Sequence, residues 1–274
     1  MPDSNSFKIV FSDIDGTLLN AEREASAVLK TEVARLTGNG IPFILISSRM
    51  PQAMRWIQED LGISGQPLIC YNGGLVRVDG KAIHSVAIGL DIVREIATLQ
   101  RGTGLSVQLF NADEWYVESM DHYAEREQNN TRVSPQVRSL QTTIINWDKR
   151  ALGAHKVMVM GEPAEIDKLA GRLERYFGKR LHLYRSKDTY LEIASKRISK
   201  LTGIEQLLAH QYPGLTLADC IAFGNHFNDI EMLKAVGLGV AVANAIPEVL
   251  AVADVTTIAA KEDGVAIALK EYIH

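Results

Sequence analysis

FKIVFSDIDGTLL, residues 7–19, begins as a short apolar run rich in β-branched and aromatic residues and stops abruptly at Ser12-Asp13. The run is too short for a helix, and its apolar character is continuous rather than alternating. This is the pattern of a strand buried on both faces. Two carboxylates, Asp13 and Asp15, then follow at i, i+2, and Gly16 permits a backbone turn that β-branched residues resist.

Working outward, SAVLKTEVARLT (26–37) places Leu29, Val33 and Leu36 on one helical face, and GNG ends the helix. IPFILI (41–46) is a second continuous apolar run ending at Ser47-Ser48-Arg49. PQAMRWIQEDLG (51–62) reads as a helix with Pro51 in its first turn, and PLICYNGG (67–74) as a strand closing in a turn. Strands and helices in alternation, with strands apolar on both sides, predict a parallel sheet covered on both faces. The same grammar returns near the C-terminus. TLADCIAFG, LGVAVA and DVTTIA read as strands, and NDIEMLKAVG, IPEVLAVA and EDGVAIALKEYI as helices.

The middle differs. LSVQLF, WYVES, HKVMVM and RLHLYR are strand candidates, with helical stretches around 89–101 and 163–177 and polar tracts at SMDHYAEREQNNT and NWDKR. Paired strands with helices between them predict an α+β unit inserted into the parallel-sheet domain. The expected division is 1–83 and 190–274 for the discontinuous core and 84–189 for the insert.

Bulk composition excludes several classes. With 274 residues, 46% hydrophobic and 23% charged, the chain can form one large or two modest cores. A net charge of −4 and 7% aromatic residues give no reason to expect nucleic acid or an anionic membrane as partner. No apolar run approaches the roughly 18 residues of a membrane span. MPDSNSFKIV lacks the basic and apolar regions of a signal peptide, so the expected location is cytoplasmic. Cys70 and Cys220, each inside an apolar segment, read as two buried thiols rather than a disulfide or metal site.

Ligands of open α/β sheets bind outside the carboxyl ends of the strands. There the sequence places Asp13 and Asp15, then Ser47 and Ser48, then Asn225, His226, Asn228 and Asp229 of FGNHFNDIEML (223–233). Two neighbouring carboxylates need a positive partner if they are buried, and Mg²⁺, which prefers oxygen ligands and phosphate, suits them. The hydroxyls and N–H groups at 47–48 suit phosphate oxygens. Lys200, in SKRISKLTGIEQLL after the strand YLEIA, would supply a phosphate-binding cation; Lys196 and Arg197 are alternatives. Carboxylates at i, i+2 on a loop rarely straddle a sugar ring, which disfavours glycosidase chemistry. In the insert, Trp115, Tyr116, Tyr184, Arg185 and Tyr190 could line a substrate pocket or belong to core and surface.

DIDGTLL, the strand-end SSR, a lysine before a helix and GNHFNDIEML together resemble the four signature motifs of the haloacid dehalogenase (HAD) superfamily. The order, the spacing and the tail GLGVAVANAIPEVLAVADVTT resemble its Cof-like sugar-phosphatase branch. That resemblance covers the whole chain. It implies a Rossmann-like doubly wound parallel sheet core with an inserted α+β cap domain that closes over the phosphate. It also implies a phosphatase acting on a small phosphorylated metabolite, a sugar phosphate, through an aspartyl-phosphate. Asp13 would be the nucleophile and Asp15 the acid and base. Ser47, Ser48, Lys200 and Asn228 would bind phosphate, and Asp13, Asp15, Asn225 and Asp229 would serve the metal, with Asp229 either completing its shell or orienting Lys200. Two positions depart from the pattern: Ser47-Ser48 stands where Thr-Gly is usual, and Asn225 where an Asp would ligate Mg²⁺ directly. A phosphomutase or phosphotransferase, or a phosphate-binding or regulatory protein that has lost turnover through Asn225, are the other implied outcomes.

Overall fold

A computed structural model describes residues 7–20 and 22–273. MPDSNS, on which much of the leader reading rests, lies outside the described residues.

In chain order the first elements are β1 (Ile9–Ser12), α1 (Ala27–Gly38), β2 (Phe43–Ile46), α2 (Pro51–Asp60), β3 (Leu68–Cys70), β4 (Leu75–Val78) and β5 (Lys81–Ser85). Next come α3 (Leu90–Leu99), β6 (Ser106–Asn111), β7 (Glu114–Val117), α4 (His122–Thr131), β8 (Gln136–Val137), α5 (Leu140–Lys149), β9 (Lys156–Met160), α6 (Pro163–Phe177), β10 (Leu181–Lys187) and β11 (Tyr190–Ser195). The chain ends through α7 (Lys200–Gln211), β12 (Cys220–Gly224), α8 (Ile230–Ala235), β13 (Leu238–Val242), α9 (Pro247–Leu250), β14 (Val255–Thr257) and α10 (Gly264–Tyr272).

Two compact units result. One holds the chain through Ser48, Met54–His84 and everything from Ser199 onward; the other holds Arg49–Ala53 and Ser85–Ile198. The first is built on an eight-stranded sheet of order β14-β13-β12-β1-β2-β3-β4-β5. β14 through β3 run parallel, and β4 returns antiparallel to β3. Every residue of β1, β2, β12 and β13 is buried, as their unbroken apolar runs require. The expected α/β class and doubly wound sheet are therefore what the chain forms. α1 follows its reading closely: Ser26 Oγ accepts the Leu29 N–H at 3.0 Å, and Leu29, Val33 and Leu36 face inward.

β1 is central, with β12 on one side and β2 on the other. From β1 the chain moves one way through β2 to β3. After the insert it moves the other way, from β12 through β13 to β14, so a crevice opens above the carboxyl end of β1. The β4–β5 hairpin closes through Asp79 and Gly80, both at positive φ (49° and 73°), the signature of a two-residue Asp-Gly turn.

The second unit has a six-stranded sheet of order β10-β11-β9-β6-β7-β8, antiparallel except for the β7–β8 pair. One face packs Val107, Leu109, Val157, Val159, Leu191 and Ile193 into an apolar core with residues of α3, α5 and α6. β11 pairs with β10 and β9, so Tyr190–Ile198 belongs to this unit, whereas the expected boundary at 189/190 assigned it to the core. Cys70 and Cys220 are buried and form no disulfide. Among the described residues no helix is long and apolar enough to cross a membrane.

Candidate active site

Asp13 follows β1 directly, and its N–H is held by the Phe223 carbonyl of β12 at 3.0 Å. Its side chain is buried, as are those of Lys200 and Asp229. Lys200 Nζ lies 2.5 Å from Asp13 Oδ1 and 2.6 Å from Asp229 Oδ1, joining three segments far apart in sequence. Two carboxylates thus share one ammonium. Burial is the largest influence on Asp13 and, with repulsion from Asp229 and Asp15, outweighs the attraction of Lys200, so its pKa is pushed up to about 7. Burial works against the Lys200 ammonium too, but Asp13 and Asp229 together hold its pKa above the ordinary lysine value.

Lys200 reaches this place because α7 begins against the corner that follows β3. Tyr71, Asn72 and Gly73 all have positive φ (53°, 54° and 92°). A Cβ on Gly73 would lie 2.1 Å from the Ser199 carbonyl oxygen, and one on Gly203 2.5 Å from Ile69 Cγ2. Only two glycines allow so close an approach. Ser199 caps α7, exchanging side-chain and backbone bonds with Thr202 in a capping box.

Asp229 occupies the start of α8 beneath Gly224, whose missing Cβ leaves it room. Asp229 Oδ2 accepts the N–H groups of Asn225 and His226, each at 2.9 Å. With Oδ1 on Lys200, both oxygens are engaged by protein donors. This arrangement suits the orientation of Lys200, one of the two roles the sequence reading gave Asp229.

Asn225 faces the loop after β1. Its Oδ1 accepts the Thr17 hydroxyl at 3.1 Å, and its Nδ2 lies where a Cβ on Gly16 would fall, 2.5 Å away. Gly16 has φ +78°. Asn228 Nδ2 donates to Asn72 Oδ1 at 2.9 Å, bridging from the loop after β12 to the corner after β3. Ser47 is buried at the end of β2, with its N–H on the Ile69 carbonyl and its own carbonyl accepting from Asn72, while Ser48 is half-buried. Asp15 and His226 are exposed. Lys196 and Arg197, the alternatives to Lys200, are exposed too, and Lys196 donates to the Gly178 carbonyl within the second unit.

Thr17, Asn72, Gly73 and Gly203 were not singled out from sequence. YNGG carried a turn signal, but nothing local tied it to Asn228 or α7. In the second unit, Tyr116 belongs to the apolar core and its hydroxyl donates to Glu114, which removes it from the possible pocket residues. Trp115, on the opposite face, stacks on Phe110 and donates to Gln108 Oε1 at 3.1 Å.

The fold is α/β, and Asp13, Lys200 and Asp229 gather at the carboxyl edge of its parallel strands. Residues 10–269 match the haloacid dehalogenase-like hydrolase family, and the chain belongs to that family as an enzyme of its phosphatase class. A Haemophilus influenzae protein with a provisional phosphatase name is 32% identical over 97% of this chain and 98% of its own length. The HMP-PP phosphatase of Yersinia pestis is 27% identical, over 88% of this chain and 86% of that one. Among solved structures, a haloacid dehalogenase-like hydrolase from Bacteroides thetaiotaomicron superposes with a TM-score of 0.88 at 27% identity, covering 97% of this chain and 99% of the other.

The family implies Mg²⁺, and the donors present fit a hard cation. The Asp13 carboxylate, the Asp15 carbonyl and Asn225 Oδ1 are all oxygens, and the buried cluster that includes Asp13 holds two carboxylates to one ammonium. Among the described residues no three His, Cys, Asp or Glu side chains converge as a metal cluster.

Proposed function

We propose that the chain is a Mg²⁺-dependent phosphatase that hydrolyses a phosphomonoester of a small metabolite, a sugar phosphate, with Asp13 as nucleophile. The observation that carries this is the buried Asp13–Lys200–Asp229 cluster at the carboxyl end of β1. Lys200 fixes the Asp13 carboxylate and directs positive charge toward the place where phosphoryl oxygens gather negative charge.

An Asp13 oxygen attacks phosphorus, and the bond from phosphorus to the ester oxygen breaks. Asp15, exposed on the loop after β1, gives its proton to the leaving alcohol. Water then attacks phosphorus and passes a proton back to Asp15, which releases inorganic phosphate and restores Asp13. Ser47, Ser48 and Asn228 would hold the phosphoryl oxygens, with Asn72 fixing the amide of Asn228. Asp13, the Asp15 carbonyl and Asn225 would hold Mg²⁺, which when bound offsets the repulsion between carboxylate and phosphate.

The sugar-phosphate assignment draws on the motif resemblance, and the HMP-PP relative adds a second class to test. Hydrolysis of p-nitrophenyl phosphate with Mg²⁺, followed by a panel of sugar phosphates and HMP-PP, is the direct experiment. Asp13→Asn is expected to abolish phosphate release; retained turnover would overturn the nucleophile assignment. Asn225 favours a second reading, a phosphate-binding protein without turnover. That reading requires an inactive native chain and rescue by Asn225→Asp.

A further inference from the structure

An amide at position 225 takes one negative charge out of the oxygen set assigned to the cation, and the groups packed around it do not restore that charge. Thr17 offers Asn225 Oδ1 a neutral hydroxyl, and Gly16 offers only backbone. Asp229, bonded to the Asn225 N–H, has Oδ1 on Lys200 and Oδ2 on two backbone donors. Lys200 in turn balances one of the two buried carboxylates, Asp13 and Asp229. The Asp13–Lys200–Asp229 cluster therefore presents at most a single net negative charge to a dication.

A phosphate monoester brings roughly −1.5 to −2 at neutral pH. It is then the largest negative charge in the site and would complete the cation's surroundings with oxygen. We propose that divalent-cation binding in this chain depends on phosphate: the cation binds tightly only when a phosphate group occupies the site, supplying the charge that Asn225 lacks. This rests on reading the site as a phosphatase centre. An Asp at 225 would fit the same space and accept the same Thr17 bond, so Asn225→Asp is expected to release the cation from that dependence. By linkage, the cation must raise phosphate affinity by the same factor as phosphate raises cation affinity.

The test is titration of the full chain with Mn²⁺, a hard cation whose unbound ion is counted by electron paramagnetic resonance. It is run with and without saturating inorganic phosphate and against protein-free blanks. Native chain is expected to bind Mn²⁺ at least about tenfold more tightly with phosphate, the scale by which changes around metal ligands act. Asn225→Asp is expected to gain roughly 10- to 100-fold without phosphate and to lose most of the phosphate effect. Equal Mn²⁺ affinity in the two native arms, or no Mn²⁺ binding in either, overturns the proposal. So does a variant with native circular dichroism and unchanged affinity. The native arms decide without the variant, should it fail to fold. Failure of the phosphatase reading shows elsewhere, as Asp13→Asn that still releases phosphate.

Discussion

Lysine at the first position of α7 runs against local preference, because a helix N-terminus is its positive end. Lys200 is tolerated there, and fully buried, because Asp13 and Asp229 take up its charge. Lys200→Met keeps the volume and strands two buried carboxylates, so a loss of about 3–5 kcal/mol is expected in urea unfolding at neutral pH. Part of that loss should return as the pH is lowered and the carboxylates take up protons. His155 illustrates the opposite case, a buried group that must stay neutral. Its Nδ1 accepts the Ala112 N–H at 3.1 Å, which leaves Nε2 to donate to Ser85 Oγ at 3.0 Å. Burial pushes its pKa down to about 4, against 6.5 for an ordinary histidine. Protons then bind the unfolded chain first. The stabilisation is complete above about pH 6.5 and is lost as pH falls toward 4, on the order of 3 kcal/mol in all. Thermal midpoints should drop across that window, and His155→Gln, which keeps one donor and one acceptor, should flatten that part of the profile. The motif position of Lys200 was legible from sequence, and its pairing with Asp229 was one of two readings, because a carboxylate at that place suits a metal equally well.

At the scale of elements, the decisive contact is between the corner after β3 and the start of α7. Gly73→Ala would drive a Cβ into the Ser199 carbonyl and force alanine to φ near 92°. A cost of about 2–4 kcal/mol is expected from overpacking and backbone conformation together. Since Ser199 precedes Lys200, hydrolysis of p-nitrophenyl phosphate should fall as well, even where the variant is fully folded. A drop in stability with unchanged turnover would show that the corner does not position the lysine. Elements whose apolar faces are continuous or periodic were readable, as α1 and β2 show. α4 was not, because only Ala124 and Thr131 of HYAEREQNNT are buried and its clearest local mark is the Asp121 side chain accepting the Ala124 N–H at 2.8 Å.

At the scale of the molecule, each unit owns a sheet and an apolar core. The stretch Ser85–Ile198 is continuous in sequence and carries the whole six-stranded sheet. Expressed alone, it is expected to unfold in a single cooperative transition by circular dichroism; a fragment without one would mean that its core needs the rest of the chain. Sequence by itself determined the alternation of buried strands and helices, the inserted unit, and the strand ends where Asp13, Ser47 and Asn225 stand. These follow from hydrophobic periodicity and turn chemistry, which act over a few residues. Tertiary structure alone decided that Tyr190–Ile198 joins the second unit, that Asn72 holds Asn228, and that Asp229 is spent on Lys200 and two backbone donors. Each is a pairing between polar groups or strands brought together by the fold. A carboxylate's role depends on which donors reach it first, and no local pattern records that.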